Sequence, residues 1–407
     1  MSTPIAITGF GVLSPAGATP DALWRALETR AVLNGPWPKR PLAGYPADNV
    51  IAVPEAVWRT LEPAAAGVGN RAAALARHAI RQALANARLA GAGAGSLRIG
   101  CMLGTTTAGV EVAENVLVDA PGSGAAGAAD LDASALLPGR DGRWRGPLAV
   151  LSTACSSGLL APALAIDALA AGEADVMIAG GVDVLLEYTI CGFNGLRVAT
   201  RDRCRPFSGD RQGVVLSEGV ACVCVEPLDA ALARGAPIRA VVTGHAAGCD
   251  AAHATAPDVD GVARTIAAAL AASGVGADAL GGVFAHGTGT PTNDGAEIAA
   301  LRRAFADTYG SDALPPVTSI KSTLGHPQAA AGTFSLVAAA LALARRRLPP
   351  TANLDVRDDA LGDVRIADGD GLPLAGDSVL VNAFGFGGNN CVMVVADAAR
   401  ARQEASA

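Results

Sequence analysis

The sequence predicts an α/β protein built from two similar halves, on three observations. Short runs rich in β-branched residues alternate with longer Ala/Leu-rich stretches of helical period along the whole chain. Both halves follow the same plan of strand, tight turn and alanine-rich helix, and no repeat of the roughly 20–50-residue kind is visible. Of the 407 residues, 51% are hydrophobic, 17% charged and 4% aromatic. The core is therefore packed from Val, Leu, Ile and Ala on closely approaching elements.

In order, Ile5–Thr8 reads as a strand closed by turn residues Gly9 and Gly11, and Asp21–Thr29 as a helix. Arg71–Leu89 is helical, and Arg98–Leu103 and Leu148–Ser152 are strands. The helix Ser156–Ala171 follows directly, then strands at Val176–Ala179, Ala221–Val225 and Ala240–Thr243. The second half reads as helix Val262–Ala272, strand Gly282–Ala285, helix Ala296–Ala306 and helix Thr333–Arg347. A closing strand pair covers Ser378–Ala383 and Cys391–Ala396. The Gly/Ala/Asp-rich stretch Ala120–Arg145 has no period and is expected to be a surface or interface excursion.

Composition also excludes several classes. The 49 glycines have no collagen-like period, and charge is too sparse for a disordered chain. With 31 basic and 38 acidic residues the net charge is −7, which leaves no basic footprint for nucleic acid. Lys39 and Lys321 are the only lysines. The eight cysteines lack the density of a disulfide scaffold, and several sit in apolar strand-like runs as small hydrophobes. Cys222 and Cys224 alternate on one strand face without CxxC or HxxxH spacing, so no metal site is expected. No charged region leads into an apolar stretch at the start, and Ala329–Ala344, broken by Gly332, Thr333 and Ser335, is short for a membrane span. A reducing, cytoplasmic compartment without a membrane span is expected.

Chemistry concentrates in four segments. In Leu151–Gly158 a short strand runs into Cys155 just before a helix, where the helix N-terminus favours the thiolate. The alternative is a buried structural cysteine. Ala285–Thr290 places His286 in a tight glycine turn at a strand end, as a reactive group or a turn histidine. Thr318–His326 brings Lys321 and His326 to the start of the next helix, although Lys321 could be a solvated charge. Asn382–Asn390 is glycine-dense, a plain β-turn, a mobile lid or an oxyanion-hole loop.

One cysteine and two histidines on three strand ends bring a family into view. The chain resembles the β-ketoacyl-acyl carrier protein synthases over essentially its whole length. The likeness runs through Ile7–Pro15, Thr153–Gly158, Ala179–Gly181, Cys204–Phe207, Asp250–His253, and the HGTGT, KSTLGH and GFGG segments. It implies the thiolase fold, two similar halves in a five-layered αβαβα arrangement, 1–237 with the cysteine and 238–407 with the histidines. It also implies decarboxylative condensation of an acyl chain held on Cys155 with malonyl-acyl carrier protein, in fatty-acid, polyketide or aryl-polyene synthesis.

By the same resemblance, His286 and His326 stabilise the enolate, Lys321 positions the second histidine, and Glu297 braces the floor. Phe386 is the gating residue. Its backbone N–H and that of Cys155 form the oxyanion hole, with Gly387, Thr288, Thr290 and His253 beside the substrate. No cofactor is implied beyond the carrier's phosphopantetheine, and the working unit is a homodimer or a heterodimer with a related chain. Arg59 stands alone where relatives carry a docking cluster, so Arg205, in Arg201–Arg205, is the expected carrier contact; the alternative is that these arginines make internal salt bridges, with Asp202 or Asp210 for instance. Rival readings are a pocket-shaping subunit of a heterodimer and a thiolase-like acyltransferase.

Overall fold

The computed structural model describes residues 4–39, 42, 44–59, 61, 70–90, 95–115, 132–139 and 143–399. Ten strands form its main sheet: β1 Ile5–Leu13, β2 Ile99–Gly104, β3 Leu148–Leu151, β4 Val176–Asp183, β5 Gly219–Pro227, β6 Ala240–Cys249, β7 Leu280–Phe284, β8 Val317–Thr318, β9 Ser378–Gly385 and β10 Asn389–Ala396. The sheet order is β8-β7-β9-β10-β6-β1-β5-β4-β2-β3. Outward from its centre, β1-β5-β4-β2-β3 mirrors β6-β10-β9-β7-β8, each strand matched by the one five places later.

The pairing types match as well. β5 runs antiparallel to β1 and β4, while β4, β2 and β3 are parallel. β10 runs antiparallel to β6 and β9, while β9, β7 and β8 are parallel. The duplicated plan read in the sequence is thus a duplicated topology. The halves meet where Ile5–Ile7 of β1 pairs with Ala240–Val242 of β6.

Helices α1 Pro20–Glu28, α2 Arg71–Asn86, α3 Ser157–Ala170, α4 Glu187–Gly195, α5 Val259–Ser273, α6 Pro291–Tyr309, α7 Lys321–Leu324 and α8 Ala331–Arg345 complete the frame. Strand alternation assigns the faces. Met177 and Ala179 of β4 join one core cluster with Leu159 and Ile166 of α3 and Leu336 of α8. Val176 and Ile178, on the opposite face, pack on α2. In the second half Val381 and Met393 face α3 and α8, while Val392 and Val394 face α5 and α6. The layers are therefore α2, first half-sheet, α3 with α8, second half-sheet, and α5 with α6, the five-layered thiolase arrangement.

Two differences from the sequence reading have a plain cause. Gly9 and Gly11 do not close β1, which continues to Leu13. They lie beneath α2, where a Cβ on Gly11 would meet the Ala79 carbonyl oxygen at 1.9 Å and one on Gly9 the Ala83 oxygen at 2.3 Å. Their role is close helix-on-strand approach. The apolar run near 330 is longer as a helix than it read: Gln328–Arg345 is long and apolar enough to cross a membrane, yet 89% of it is buried inside the fold. Most of the excursion expected at 120–145 lies outside the described residues; Ala133–Leu136 forms a 3₁₀ turn.

Candidate active site

Cys155 sits on a tight elbow between β3 and α3. Ala154 before it takes a left-handed φ of +52°, a strained conformation for a residue with a Cβ. Side-chain bonds hold the elbow: Ser157 Oγ accepts from Thr153 N–H at 2.8 Å and donates to the Ala154 carbonyl at 2.5 Å, and Ser156 Oγ donates to the Thr153 carbonyl at 2.7 Å. Gly158 opens α3 against the Ala329 carbonyl, which a Cβ would approach to 2.1 Å. The helix begins two residues after the cysteine, as its motif implied.

His326 comes from the other half, between α7 and α8, and its Nε2 lies 3.0 Å from Cys155 Sγ. Its Nδ1 has no partner among the described residues. His286, after β7, lies with its ring 5.8 Å from that of His326 and nearly perpendicular to it. The Phe384 N–H donates to His286 Nδ1 at 3.3 Å, and Lys321 Nζ lies 3.4 Å from the same nitrogen while donating to the His286 carbonyl. With donors on Nδ1, the neutral ring carries its proton on Nε2.

Burial, then the Lys321 charge, holds both imidazoles well below their usual range, with His326 adding to the shift at His286. Both rings are neutral at physiological pH. Burial also pushes the Cys155 thiol up to about 12, against the pull of Lys321. Asp183 adds to the rise, while the N–H groups of Cys155 and Phe386 lower it. Burial thus outweighs the helix terminus invoked from the sequence, and the resting group is a thiol with a base beside it.

Lys321 is 2% exposed, so it is no solvated charge, and its Nζ hydrogen bonds go to His286 rather than to the second histidine, His326, that the resemblance has it position. Burial lowers its pKa; Glu297, Cys155, Cys204 and Asp294 oppose that. Glu297 lies under the His286 turn rather than in the cavity, accepting from His286 N–H and Gly287 N–H at 2.8 Å each and from Asn382 Nδ2 at 2.9 Å.

A cavity of about 400 Å³ opens over these groups, lined by Cys155, His286 and His326. Phe193, Leu196, Val198 and Val214 give it an apolar wall; His253, Thr288, Thr290, Asn293 and Asn390 give it a polar one. His253 is exposed, and its Nδ1 accepts from Thr255 N–H at 3.1 Å and Ala256 N–H at 3.0 Å. Phe386 stands on the turn between β9 and β10, its ring 5.8 Å from Phe193. Gly387 has φ +78°, and its N–H donates to the Ala254 carbonyl at 2.8 Å.

Comparison with known proteins gives this geometry a family. Residues 2–231 match the N-terminal domain of β-ketoacyl synthases and residues 239–355 the C-terminal domain. The chain belongs to the β-ketoacyl synthase family. It is 34% identical to an actinorhodin polyketide β-ketoacyl synthase of Streptomyces coelicolor, over 97% of this chain and 88% of that protein. Nodulation protein E of Rhizobium meliloti is 32% identical over 97% and 99%. The solved ishigamide ketosynthase/chain length factor superimposes with a TM-score of 0.86 at 30% identity, covering 98% of this chain and 100% of that one. This β-ketoacyl synthase is a condensing acyltransferase, joining an acyl chain to a malonyl unit on acyl carrier protein with loss of carbon dioxide.

Of the two readings of Arg205, the synthase's own geometry shows the internal salt bridges. Arg205 is not a free cation at the surface: its guanidinium pairs with Asp202 at 2.5 Å, Asp355 at 3.5 Å and Asp210 at 3.7 Å. A charge spent on three carboxylates has little left for a carrier. Arg59 pairs with Glu55 at 3.5 Å.

Two buried carboxylates escaped the sequence reading. Asp294, at the start of α6, accepts from the N–H groups of Phe207, Thr288 and Gly289 at 2.8, 3.0 and 3.1 Å. It shapes the Thr288–Thr290 turn. Asp183 closes β4 beneath the elbow. The signal for Asp294 lay in its spacing, three residues from Glu297 and so on the same helix face. Asp183 follows an apolar run, where only the fold reveals what it faces.

Proposed function

We propose that Cys155, His326 and His286 divide the condensation among them. The observation that carries this reading is the 3.0 Å contact of His326 Nε2 with Cys155 Sγ, in a cavity that His286 also lines. Cys155 Sγ attacks the thioester carbonyl of an acyl chain held on the carrier's phosphopantetheine, giving its proton to His326 Nε2. The oxyanion is held by the N–H groups of Cys155 and Phe386, and the carrier thiol leaves with the proton that His326 had taken. In the second half-reaction the bond from the malonyl methylene to its carboxylate breaks and carbon dioxide departs. The electron pair passes to an enolate, whose oxygen accepts hydrogen bonds from His286 through its fixed Nε2–H and from His326 once its proton sits on Nε2, which its unpartnered Nδ1 allows. The enolate carbon attacks the acyl carbonyl and Cys155 leaves as thiolate.

Lys321 serves in this scheme by orienting His286 through the ring nitrogen and carbonyl of that residue, and Glu297 by holding its backbone. The enzyme works in the cytoplasm as one half of a dimer, with itself or a related ketosynthase-like chain. Support comes from β3, which ends the sheet with one strand neighbour and half-buried residues throughout, and from the ketosynthase/chain length factor it resembles. The chain divides at about 237/238, between β5 and β6.

Intact-mass measurement after incubation with a panel of acyl-carrier thioesters tests the first half-reaction, and carbon dioxide release from malonyl-carrier the second. An acyl adduct on Cys155 together with carbon dioxide release is expected. An adduct without carbon dioxide release overturns the condensing role in favour of a thiolase-like acyltransferase. Neither signal means a pocket-shaping subunit.

A further inference from the structure

Cys155 belongs to the first half and His326 to the second, so their 3.0 Å separation depends on how the halves are held together at this point. One buried carboxylate spans the junction. Asp183, fully buried at the end of β4, accepts six hydrogen bonds. Oδ1 accepts from Thr105 Oγ1 at 2.8 Å, Thr106 N–H at 2.9 Å, Thr107 N–H at 3.1 Å and Thr107 Oγ1 at 2.8 Å. Oδ2 accepts from Thr106 Oγ1 at 2.7 Å and, from the second half, Ala329 N–H at 2.8 Å. Among the described residues six donors and no acceptor face the group, a shell that satisfies a carboxylate.

Ala329 stands three residues beyond His326. Pro327, with its fixed φ, and Gln328, at a left-handed φ of +46°, are all that separate them. Gln328 is held from the same cluster: its side-chain amide lies 3.1 Å from Thr106 Oγ1. Thr106 has one hydroxyl proton, which Asp183 takes, so this second contact is satisfied when the amide nitrogen of Gln328 donates to the Thr106 oxygen. On its other side His326 is fixed by its N–H to the Val215 carbonyl at 2.7 Å and by its carbonyl to Ser217 N–H at 3.0 Å. The turn therefore has two anchors in the half carrying Cys155, one on either flank: the Val215–Ser217 backbone before it, and Asp183 with Thr106 beyond it, on Ala329 and Gln328.

We infer that Asp183 is a positioning residue for the condensation, setting His326 against Cys155 through Ala329 N–H and the Thr106–Gln328 contact. The inference rests on the proposed role of His326 as the base beside the thiol. Asp183 contacts neither the cavity nor the thiol. Its charge does raise the Cys155 pKa, but lifting that charge would speed alkylation, so a slowing reads its action through His326, and a double-mutant cycle reads that dependence.

The full-length protein, its Asp183→Asn and Thr106→Val variants, His326→Ala, and each double variant are compared in the rate of Cys155 alkylation by iodoacetamide, with the adduct quantified by peptide mass spectrometry. Asp183→Asn is expected to slow alkylation at least about tenfold, and Thr106→Val to a smaller degree, while neither slows it more than about twofold once His326 is alanine. Equal fold-losses with and without His326 overturn the inference, because a general packing defect does not depend on that ring. An unchanged rate in Asp183→Asn overturns it as well. Should Asp183→Asn fail to fold, Thr106→Val decides by the same comparison. If His326→Ala itself alkylates at the parent rate, the role proposed for His326 falls instead, which separates the two failures.

Discussion

His326 Nε2 faces the Cys155 sulfur at 3.0 Å, while the proton-bearing nitrogen of His286 is left for the substrate. From the sequence, both histidines sat alike over the malonyl unit; the geometry gives them different work. His286→Ala is expected to lower malonyl-carrier decarboxylation by about 10²–10⁴-fold, the usual contribution of a positioned acid or base, while leaving acylation of Cys155 near the parent rate. His326→Ala is expected to impair both. Single-turnover acylation, followed by intact mass, and carbon dioxide release measure the two separately. Equal losses of acylation in the two variants would contradict the division.

Alkaline pH should weaken the fold. Burial raises the pKa of six thiols, Cys101, Cys155, Cys204, Cys222, Cys224 and Cys391, from an ordinary value of 9.0, with Cys204, Cys222 and Cys224 reaching about 12. Above pH 9 the unfolded chain loses thiol protons that the folded chain keeps, so stability falls as pH rises. Each such group contributes a slope of about 1.4 kcal/mol per pH unit while it is deprotonated only in the unfolded chain. Lys321, whose pKa is lowered by burial, works in the opposite sense, one group against six. Denaturant unfolding at pH 8, 9 and 10 should show the decline, with a shallower slope in a Cys222→Ala/Cys224→Ala variant. A flat profile would rule the explanation out.

Gly158→Ala places a methyl group 2.1 Å from the Ala329 carbonyl oxygen, in the same junction that aligns cysteine and histidine. Backbone cannot yield as a flexible side chain does, so α3 and the His326 turn must separate. The expected cost is about 1–3 kcal/mol or more of stability. Activity should fall further than unfolding explains, because the Sγ–Nε2 distance lengthens. Denaturant melts and turnover at a temperature where the variant is fully folded distinguish the two effects. A variant as stable and as active as the parent would show that the junction tolerates the shift.

Much of this site was legible because its chemistry is local. Cys155, His286 and His326 each close a strand or open a helix within a short motif of small residues, and small residues there are a backbone requirement that sequence records directly. The shared plan of strand, tight turn and helix was visible for the same reason. What could not be read was whatever depends on the partner across the fold. Gly9 and Gly11 looked like turn residues because the α2 backbone above them is some 70 positions away in sequence. Asp183 lies beyond the strand read at Val176–Ala179, and nothing local marks it; its place shows only once Ala329, from the other half, is set on it. The thiol was expected as thiolate from its place near a helix terminus, a local rule, whereas its burial is set by elements of both halves.

Arg205 supplies the sharpest test of reading charge without structure. Its guanidinium is shared among Asp202, Asp210 and Asp355, and the Asp202 hydrogen bond holds its pKa above the ordinary value. Removing the cation leaves three like charges facing one another across a loop that runs on to Phe207, whose N–H Asp294 holds beside the His286 turn. The loss of stability should be modest, since exposed pairs contribute about 0–1 kcal/mol. The catalytic effect should then be indifferent to how the substrate is carried. Arg205→Ala and Arg205→Glu are expected to change kcat/KM for a carrier-bound acyl chain and for a pantetheine-thioester mimic by the same factor, with the larger effect for glutamate because it adds a fourth negative charge. Steady-state kinetics with both substrates at two salt concentrations provide the measurement. A rise in KM of about tenfold or more confined to the carrier-bound substrate, and reduced by salt, would return Arg205 to the docking surface and mean that the carrier draws the guanidinium away from its aspartates.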